Sequence, residues 1–198
     1  MTTRAFLKVI VLAALHLIAL NASTQSAKPR VFTDGNKKFT YTDTGGITAS
    51  FIAHFGNRFV IDSMMTPGGE TLILSEQPAV TVYNFWFVAC KPCVDEIPVL
   101  NQLATKYNND SVRFIAITFD KPEKLEAFLI KNPFQFMIGI LPQESINKIK
   151  KISYYPFTAV VNRQHKISFV MAGKPMGKNP EKIIHEVLDF QIRKALAK

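Results

Sequence analysis

Cysteine is scarce in this sequence: only Cys90 and Cys93 occur among the 198 residues, and they lie three positions apart. Two cysteines are too few to build a disulfide-stabilised scaffold, and the loop between them is too short to act as a long-range staple. The sequence also lacks a second cysteine pair or a histidine cluster that could complete the four ligands of a structural zinc site. We therefore expect neither a metal nor another cofactor, and we expect any chemistry to lie at the cysteine pair itself.

Acidic residues are fewer than basic ones, 15 against 24, which leaves a formal net charge of +9. The lysines are scattered, however, and no basic stripe interleaved with aromatic residues is present. A solvated basic surface is therefore favoured over nucleic-acid binding. The sequence also lacks internal repeats and low-complexity stretches, and its 47% apolar and 20% charged content is typical of a soluble globular chain with a real core.

The apolar run near the amino terminus is short for a membrane span. Arg4 and Lys8 precede this run, which extends from Val9 to Leu20, and small residues follow it. This order is typical of a cleavable secretory signal peptide, to which we assign residues 1–22. An uncleaved membrane anchor is the alternative, and only in that case do we expect membrane attachment. Either way, the rest of the chain is expected to be periplasmic or otherwise extracytoplasmic, in an oxidising compartment.

The chain after this segment divides into two regions. Residues 23–68 contain short alternating patterns that predict strands at 37–43, 47–54 and 58–64, separated by glycine-containing turns. We interpret this region as a β-rich N-terminal extension, because alone it has too little apolar surface to form a domain. We expect it to pack on a main domain formed by residues 69–198.

The main domain begins with apolar runs typical of buried strands. A nearly continuous apolar run at residues 80–87 predicts a central strand covered on both faces. A helix is predicted at about residues 91–107, and a second buried strand at 112–119. Strand, helix and strand at this spacing indicate a right-handed parallel βαβ unit and therefore an α/β fold.

The remaining elements follow from capping residues and periodicity. Asp120 is predicted to cap a helix that continues to Lys131, with Glu123 three residues further on. We favour this capping role for Asp120 over a role near the cysteines. The chain then continues with a short strand at 134–140, a helix at 143–152, a β-hairpin that turns at 163–165 and a helix opened by Asn179 and Pro180.

The cysteine pair lies where the central strand passes into the following helix. At the N-cap of that helix, unpaired N–H groups and the positive end of the helix dipole favour a thiolate on Cys90, and Lys91 adds a nearby cation. The pKa of thiols in such settings falls to roughly 3.5–7.5, from about 8.5 when free. Cys93, one turn further in, is expected to be less exposed. We therefore predict thiol–disulfide exchange, in which Cys90 attacks a substrate disulfide and Cys93 resolves the mixed disulfide.

Glu96 follows Cys93 by three residues, which places it on the same helical face one turn along. From this position it could exchange a proton with the Cys93 sulfur. A surface acid near a helix N-terminus, where negative charge is favourable, fits the same spacing equally well. The spacing alone leaves both interpretations open.

Several short motifs occur together in residues 69–198: Phe85-Trp86, Cys90-Lys91-Pro92-Cys93, Glu96-Ile97-Pro98 and Tyr155-Pro156 ahead of a strand. With these motifs the region resembles the thioredoxin superfamily, and within it the extracytoplasmic TlpA/ResA-type thiol–disulfide oxidoreductases. The resemblance implies a thioredoxin-like fold, a central mixed β-sheet flanked by helices, here with the N-terminal β extension and an inserted strand and helix at 133–152.

The resemblance also implies roles for individual residues. Pro156 corresponds to the cis-proline beside the redox disulfide, where the backbone contacts substrate, and Glu96 to the acid that tunes the two thiols. Asn84 occupies the position of a buried aspartate in thioredoxin. Two residues depart from the family pattern: Ala89 replaces a tryptophan before the first cysteine, and Tyr155 is bulkier than usual. We expect both of them, together with Trp86, to contact substrate.

The leading hypothesis is an extracytoplasmic reductase that acts on protein disulfides and receives electrons from a membrane donor. The resemblance implies a role in cytochrome c maturation or in general thiol reduction. A net oxidant or isomerase is an alternative, because the direction of electron flow depends on the reduction potential. A non-catalytic thioredoxin-like binding module with a static disulfide is the alternative from another class.

Overall fold

The computed structural model describes residues 29–34, 37–42, 56–74, 79–108, 112–150, 154–175 and 178–197. The strands in these residues are β1 (Pro29–Asp34), β2 (Lys37–Thr42), β3 (Ser63–Met65), β4 (Thr71–Ile73), β5 (Val80–Phe85), β6 (Val112–Thr118), β7 (Met137–Ile140), β8 (Phe157–Val161) and β9 (Ile167–Ala172). The helices are α1 (Lys91–Lys106), α2 (Pro122–Lys131), α3 (Gln143–Lys150) and α4 (Pro180–Leu196). None of these four helices is both long and apolar enough to cross a membrane.

Seven of the strands form one mixed sheet in the order β4-β3-β7-β6-β5-β8-β9. Strand β5 pairs in parallel with β6, and β6 with β7, whereas the other neighbours are antiparallel. All six residues of β5 are buried, and this explains its continuous apolar sequence, because a central strand is covered on both faces. The predicted βαβ unit, formed by β5, α1 and β6, is confirmed.

The sheet separates two apolar cores. Successive side chains of a strand point to opposite faces, so Val82 packs in the first core and Phe85 in the second. The first core also contains buried leucines of three helices: Leu100 of α1, Leu125 of α2 and Leu188 of α4. Ile146 of α3 belongs to the second core. Both cysteines lie in the first core, so the packing of α1 and α4 on the sheet determines their position.

The predicted N-terminal extension is in part integrated into the main sheet. Strands β1 and β2 form a separate antiparallel pair, whereas β3 pairs with β4 and with β7, where Met65 lies opposite Ile140. The strand predicted at 58–64 is shorter than expected, because Arg58 makes only an isolated bridge to Lys166. The strand predicted at 47–54 lies outside the described residues, as does the predicted signal peptide.

The helix boundaries follow the sequence closely, with one correction. Cys90 is the N-cap of α1 and Asn179 is the N-cap of α4, as predicted. The N-cap of α2, however, is Lys121 and not Asp120. The reason is that the Asp120 carboxylate is bound elsewhere, to the connection between β5 and α1. The predicted β-hairpin is confirmed as β8 and β9, and His165 in its turn has a φ of 57°.

Candidate active site

The cysteine pair lies at the carboxyl end of β5, at the point where α1 begins. Cys90 and Cys93 are joined by a disulfide bond. The Cys90 carbonyl accepts a hydrogen bond from the Val94 N–H at 3.0 Å, which begins the helix, and the Cys90 N–H donates to the Phe87 carbonyl at 3.0 Å. Cys90 is 6% exposed and Cys93 is 2% exposed, so the first cysteine is the more accessible of the two.

The electrostatic setting of the pair comes mainly from the amino end of α1. The first turn of this helix contains no acidic residue, so its unpaired N–H groups act on the sulfurs without a competing carboxylate. Lys91 was expected to add a cation, but its ammonium group is exposed and bound to Asp95 at 2.8 Å. Since an exposed ion pair is strongly screened, Lys91 contributes little to the charge felt by Cys90.

Glu96 is a buried residue of α1, three residues and therefore about one helical turn after Cys93. It is 1% exposed, and neither carboxyl oxygen has a hydrogen-bond partner among the residues that the structure describes. Burial raises the pKa of Glu96 to about 8, because desolvation disfavours the charged form. The interpretation of Glu96 as a surface acid is therefore wrong. A carboxyl group with such a pKa is largely protonated at neutral pH and can both give and take a proton.

Lys174 is a residue that sequence reasoning did not single out. Its ammonium group lies 3.1 Å from a Glu181 carboxylate oxygen and 3.6 Å from one of Asp95. Desolvation is the largest effect on the pKa of Glu96 and raises it. The positive charge of Lys174 lowers this pKa, whereas the negative charges of Asp95 and Glu181 raise it. The loop that carries Lys174 is separated by many residues from α1, so no local pattern could have indicated this contact.

Pro156 lies beside the same loop. The Tyr155–Pro156 peptide bond is cis, and the Pro156 carbonyl accepts a hydrogen bond from the Gly173 N–H at 2.8 Å. Gly173 has a φ of 71°, a conformation that favours glycine, and this turn directs the chain onward to Lys174. Pro156 and Lys174, which are far from the cysteines in sequence, are therefore linked by one turn.

Three half-buried aromatic rings form a cluster at the same end of the sheet. Phe87 contacts the rings of Tyr155 and Phe119 at centroid distances of 5.1 and 5.3 Å, and Tyr155 lies 6.1 Å from Phe119. We call these three residues the aromatic cluster. Phe87 and Phe119 were not identified from the sequence. Both follow the ends of neighbouring parallel strands, so the register of β5 and β6, had it been known, would have placed them together.

Trp86 was predicted to contact substrate, but the structure encloses it. Its side chain is 0% exposed and packs against Phe128 and Phe134 at centroid distances of 5.5 and 5.6 Å. The prediction that Trp86 contacts substrate is therefore wrong, because the first core encloses the whole ring. Ala89, by contrast, is exposed directly before Cys90.

Two polar residues support the site from within. Asn84 on β5 donates from Nδ2 to the Thr158 hydroxyl at 3.0 Å, and both side chains are buried, so this position carries a neutral hydrogen bond. Asp120, at the end of β6, accepts the Val88 N–H at 2.6 Å. Within the described ranges, no group of three or more histidine, cysteine and acidic side chains is placed to hold a metal ion.

Comparison with known proteins identifies the domain that carries this site. A family model described as thioredoxin-like matches residues 78–167, which include β5, α1, β6 and β8 and therefore the cysteines, Glu96 and Pro156. Residues 78–167 are thus similar to the thioredoxin-like family. The predicted thioredoxin-like fold is thereby confirmed.

The curated relatives of this thioredoxin-like domain are named as redox proteins. The chain is 28% identical over 91 residues to the thiol-disulfide oxidoreductase ResA of Geobacillus thermodenitrificans, covering 46% of this chain and 52% of that protein. It is 29% identical over 124 residues to the thioredoxin-like protein YneN of Bacillus subtilis, covering 60% and 72%. The match spans only about half of the first relative's length, 52%.

Solved structures agree on the fold. The chain is similar to a thiol:disulfide interchange protein of the thioredoxin family from Chlorobium tepidum, with a TM-score of 0.58 at 18% identity, covering 71% of this chain and 97% of that one. It is also similar to the thioredoxin domain of a thiol-disulfide oxidoreductase from Bacteroides vulgatus, with a TM-score of 0.58 at 14% identity, covering 70% and 97%. At these identities the likeness concerns the fold alone.

Proposed function

We propose that the protein is an extracytoplasmic thiol–disulfide oxidoreductase that reduces disulfides of other proteins. The observation that carries this proposal is the position of Cys90. It is the more exposed cysteine of a bonded pair and the N-cap of α1, with a buried carboxyl group one turn beyond its partner. The relatives named as thiol-disulfide oxidoreductases support the same reaction class.

The reaction begins with the reduced protein. The Cys90 thiolate attacks one sulfur of the substrate disulfide, so a mixed disulfide forms and the other substrate sulfur leaves as a thiolate. Cys93 then attacks the Cys90 sulfur and forms the internal disulfide, and the second substrate sulfur leaves. Two electrons have passed from the protein to the substrate. A donor dithiol, which we propose to be held by a membrane protein, must return two electrons to complete the cycle.

Glu96 is proposed to handle the proton of Cys93. In the reduced protein, Cys93 must lose its proton before it can attack, and the carboxylate of Glu96 one turn away can accept it. In the oxidised protein the pKa of Glu96 is about 8, so the carboxyl group holds that proton at neutral pH. When a donor opens the disulfide, Glu96 returns the proton to the Cys93 sulfur. Burial of Glu96 therefore links the transfer of this proton to the transfer of two electrons at the disulfide.

Substrate is proposed to dock beside the cysteines on residues that the first core does not enclose. Ala89 is exposed directly before Cys90, and the half-buried Tyr155 contacts the ring of Phe87, three residues before Cys90. The small side chain of Ala89 leaves space at this point, whereas the ring of Tyr155 offers an apolar surface. We propose that the backbone at Pro156 contacts the bound segment. The substrate chain would thus contact the small side chain of Ala89, the ring of Tyr155 and the backbone at Pro156.

Insulin reduction tests the proposed reaction, with dithiothreitol as the electron donor. The wild-type protein should accelerate the reduction, and Cys90→Ser should abolish the acceleration. Cys93→Ser is the matched control, because it also removes the disulfide but keeps the nucleophile. It should accumulate a mixed disulfide with substrate, visible by mass spectrometry, whereas Cys90→Ser should not. A wild-type protein that leaves insulin reduction at the rate of dithiothreitol alone would support a static binding module.

The reduction potential of the Cys90–Cys93 pair tests the direction of electron flow. We expect a value near that of reducing dithiols, about −270 mV, and not near that of strong oxidants, about −120 mV. The potential is measured by equilibrating the pair with glutathione at known ratios. A value near the oxidising end would replace the proposed reductase with a disulfide oxidant or isomerase.

Residues 1–22 are proposed to be a secretory signal peptide, and residues 69–198 the redox domain. An oxidising compartment outside the cytoplasm fits a protein whose only cysteine pair must be kept reduced by a dedicated donor. Sequencing the amino terminus of the exported protein tests the first proposal, since a chain that begins near residue 23 is expected. A chain that keeps its first residues and sediments with membranes would instead indicate the uncleaved anchor.

A further inference from the structure

Asp120 is a buried carboxylate at the carboxyl end of β6, 6% exposed. One of its oxygens, Oδ2, accepts the Val88 N–H at 2.6 Å and the Thr118 hydroxyl at 3.1 Å. The other, Oδ1, pairs with the Lys124 ammonium group at 2.6 Å. The carboxylate thus joins three parts of the chain: the end of β6, the first turn of α2 and the connection that leads to Cys90.

These bonds are not those of a helix cap. In the first turn of α2, the N–H groups of Lys124 and Leu125 donate to the Lys121 carbonyl at 3.1 Å, and Lys121 is the N-cap. The Asp120 carboxylate instead reaches a backbone group 32 residues away in sequence. A buried carboxylate bound to a backbone N–H makes a charge-assisted bond, about twice as strong as a neutral one.

The connection between β5 and α1 is short and is held at defined points. At its start the Trp86 N–H donates to the Ile117 carbonyl of β6 at 3.0 Å, and at its end the Cys90 N–H closes a turn on the Phe87 carbonyl. Between these two bonds, the Val88 N–H is held by Asp120. Without Asp120, the bond at Trp86 would be the remaining hydrogen bond between this segment and β6 among the described residues.

We propose that Asp120 is a positioning residue of the redox site, which holds the Val88 N–H and thereby keeps Cys90 at the amino end of α1. This proposal rests on the proposed thiol–disulfide function, because it assigns Asp120 a part in activating Cys90. A thiolate at the N-cap is stabilised only while its sulfur stays close to the unpaired N–H groups of the helix. The bond to Val88 fixes the residues that deliver the sulfur to that place.

The direction in which the pKa of Cys90 changes when Asp120 is replaced distinguishes a positioning role from a purely electrostatic one. Removing a negative charge near a thiol stabilises the thiolate and lowers the pKa of the thiol. Loosening the segment before Cys90 has the opposite effect, because the thiolate loses its helix N–H groups. The charge of Asp120 is balanced by Lys124 at 2.6 Å, so the electrostatic effect is small and positioning should prevail. The other titratable groups around α1, Lys91, Asp95, Glu96 and Lys174, are unchanged in the experiment.

The experiment measures the pKa of Cys90 in the Cys93→Ala background, where Cys90 is the single thiol. The rate of alkylation by iodoacetamide is followed as a function of pH. Asp120→Ala is expected to raise the pKa of Cys90 and to slow alkylation at pH 7 by roughly two- to tenfold. Asp120→Asn keeps an oxygen that can accept the Val88 N–H and should change the rate less. An unchanged or lowered pKa of Cys90 in Asp120→Ala would overturn the proposal.

Asp189→Ala is the matched control for lost stability. Asp189 is also a mostly buried acid. Its carboxylate accepts hydrogen bonds from the Tyr107 hydroxyl at 2.7 Å and from the Arg193 guanidinium at 3.2 Å. Tyr107 is the C-cap of α1, about 25 Å along the helix from Cys90. An equal rise in the pKa of Cys90 in this variant would show general loosening and refute positioning. If Asp120→Ala does not fold, Thr118→Val, which removes one bond to the same oxygen, must shift the pKa in the same direction or the proposal fails.

These measurements need no substrate, so they are independent of the proposed function. A wild-type protein that does not reduce insulin would remove the proposed function while the effect of Asp120 on Cys90 could still be read. Normal insulin reduction combined with an unchanged pKa of Cys90 in Asp120→Ala would remove the positioning role alone.

Discussion

At the scale of single residues, the site depends on a carboxyl group that is buried without a hydrogen-bond partner in the described part of the chain. Leaving a buried polar group unpaired costs folding free energy, about 1–3 kcal/mol for a neutral group and more for a charged one. Glu96 limits this cost by remaining protonated, and its raised pKa is the result. The same burial that weakens the fold supplies a proton next to Cys93.

The first prediction concerns the pH dependence of stability. The pKa of Glu96 is raised from 4.5 to about 8 in the folded, oxidised protein, so between these values the folded state holds a proton that the unfolded state releases. The free energy of unfolding should therefore fall as pH rises, by up to about 1.4 kcal/mol per pH unit from this group. Glu96→Gln should remove this part of the slope, as measured by urea unfolding from pH 5 to 8.

Glu144→Gln is the control for that measurement. Glu144 lies on α3, is 79% exposed and pairs with Lys148, so its replacement should leave the pH slope as it is. If Glu96→Gln shows the wild-type slope, Glu96 does not hold a proton across this pH range and cannot supply one to Cys93.

The second prediction concerns Lys174. Its positive charge favours the ionised form of Glu96 and lowers that pKa against the larger effect of burial. Lys174→Met should therefore raise the pKa of Glu96 further, as measured by carbon NMR titration of the carboxyl group. Lys91→Met is the matched control, because the Lys91 ammonium group is 84% exposed and paired with Asp95. An equal shift in both variants would show that Lys174 has no special relation to Glu96.

The residues of the site differ in how far the sequence could reveal them. Cys90 and Cys93 were predictable because their chemistry depends on local features, a strand end followed by a helix start. The depth of Glu96 was not, since the three-residue spacing from Cys93 is compatible with a buried or an exposed face. Trp86 was predicted to contact substrate for a similar reason, because the residues that cover its ring, Phe128 and Phe134, come from α2 and the segment after it.

At the scale of elements, the register of β3 on β7 depends on a glycine. A Cβ atom added to Gly139 would overlap the Met64 sulfur and lie 3.0 Å from Ile117 Cδ1. Met64 is 2% exposed, so its side chain has little room to move. Glycine at this position therefore allows strand β3 to pack closely against β7 and the rest of the sheet.

The third prediction follows from this contact. Gly139→Ala should lower the free energy of unfolding by about 1–3 kcal/mol, because overpacking forces neighbouring side chains to shift. The measurement is urea unfolding of the oxidised protein. Gly68→Ala is the matched control, since only Thr66 Oγ1 lies near its added Cβ, at 3.7 Å. If Gly139→Ala lowers the free energy of unfolding by the same amount in a Met64→Ala protein as in the wild type, the contact with Met64 is not the cause.

Elements with local causes were predicted well, and elements with distant partners were not. The βαβ unit follows from the hydrophobic pattern of β5, α1 and β6, which is contained in one stretch of chain. The role of Asp120 could not be obtained in this way. Its position after a strand and before a helix is typical of an N-cap, but the partner of its carboxylate, the Val88 N–H, is brought near only by the pairing of β5 with β6.

At the scale of the whole molecule, the two cores of the sheet determine where the chain can be divided. Residues before the predicted boundary at 69 contribute to the second core: Phe59, Ile61 and Met64 are 6%, 4% and 2% exposed. Phe59 also stacks against Tyr83 of β5 at a centroid distance of 5.0 Å. The alternating pattern at 58–64 was recognised in the sequence as a strand, but its place in the main core was not, because the partners are distant in sequence.

The last prediction separates these segments. Removing a large buried apolar side chain costs about 2–5 kcal/mol, and a domain has only about 5–15 kcal/mol in total. A chain of residues 69–198 lacks three such side chains and strand β3, so it should not unfold cooperatively. A chain of residues 56–198 lacks β1 and β2, which form a sheet of their own, and should keep a cooperative transition. The thermal unfolding of the two chains is compared by circular dichroism. Equal melting temperatures would contradict the prediction and place the boundary of the folded unit at residue 69.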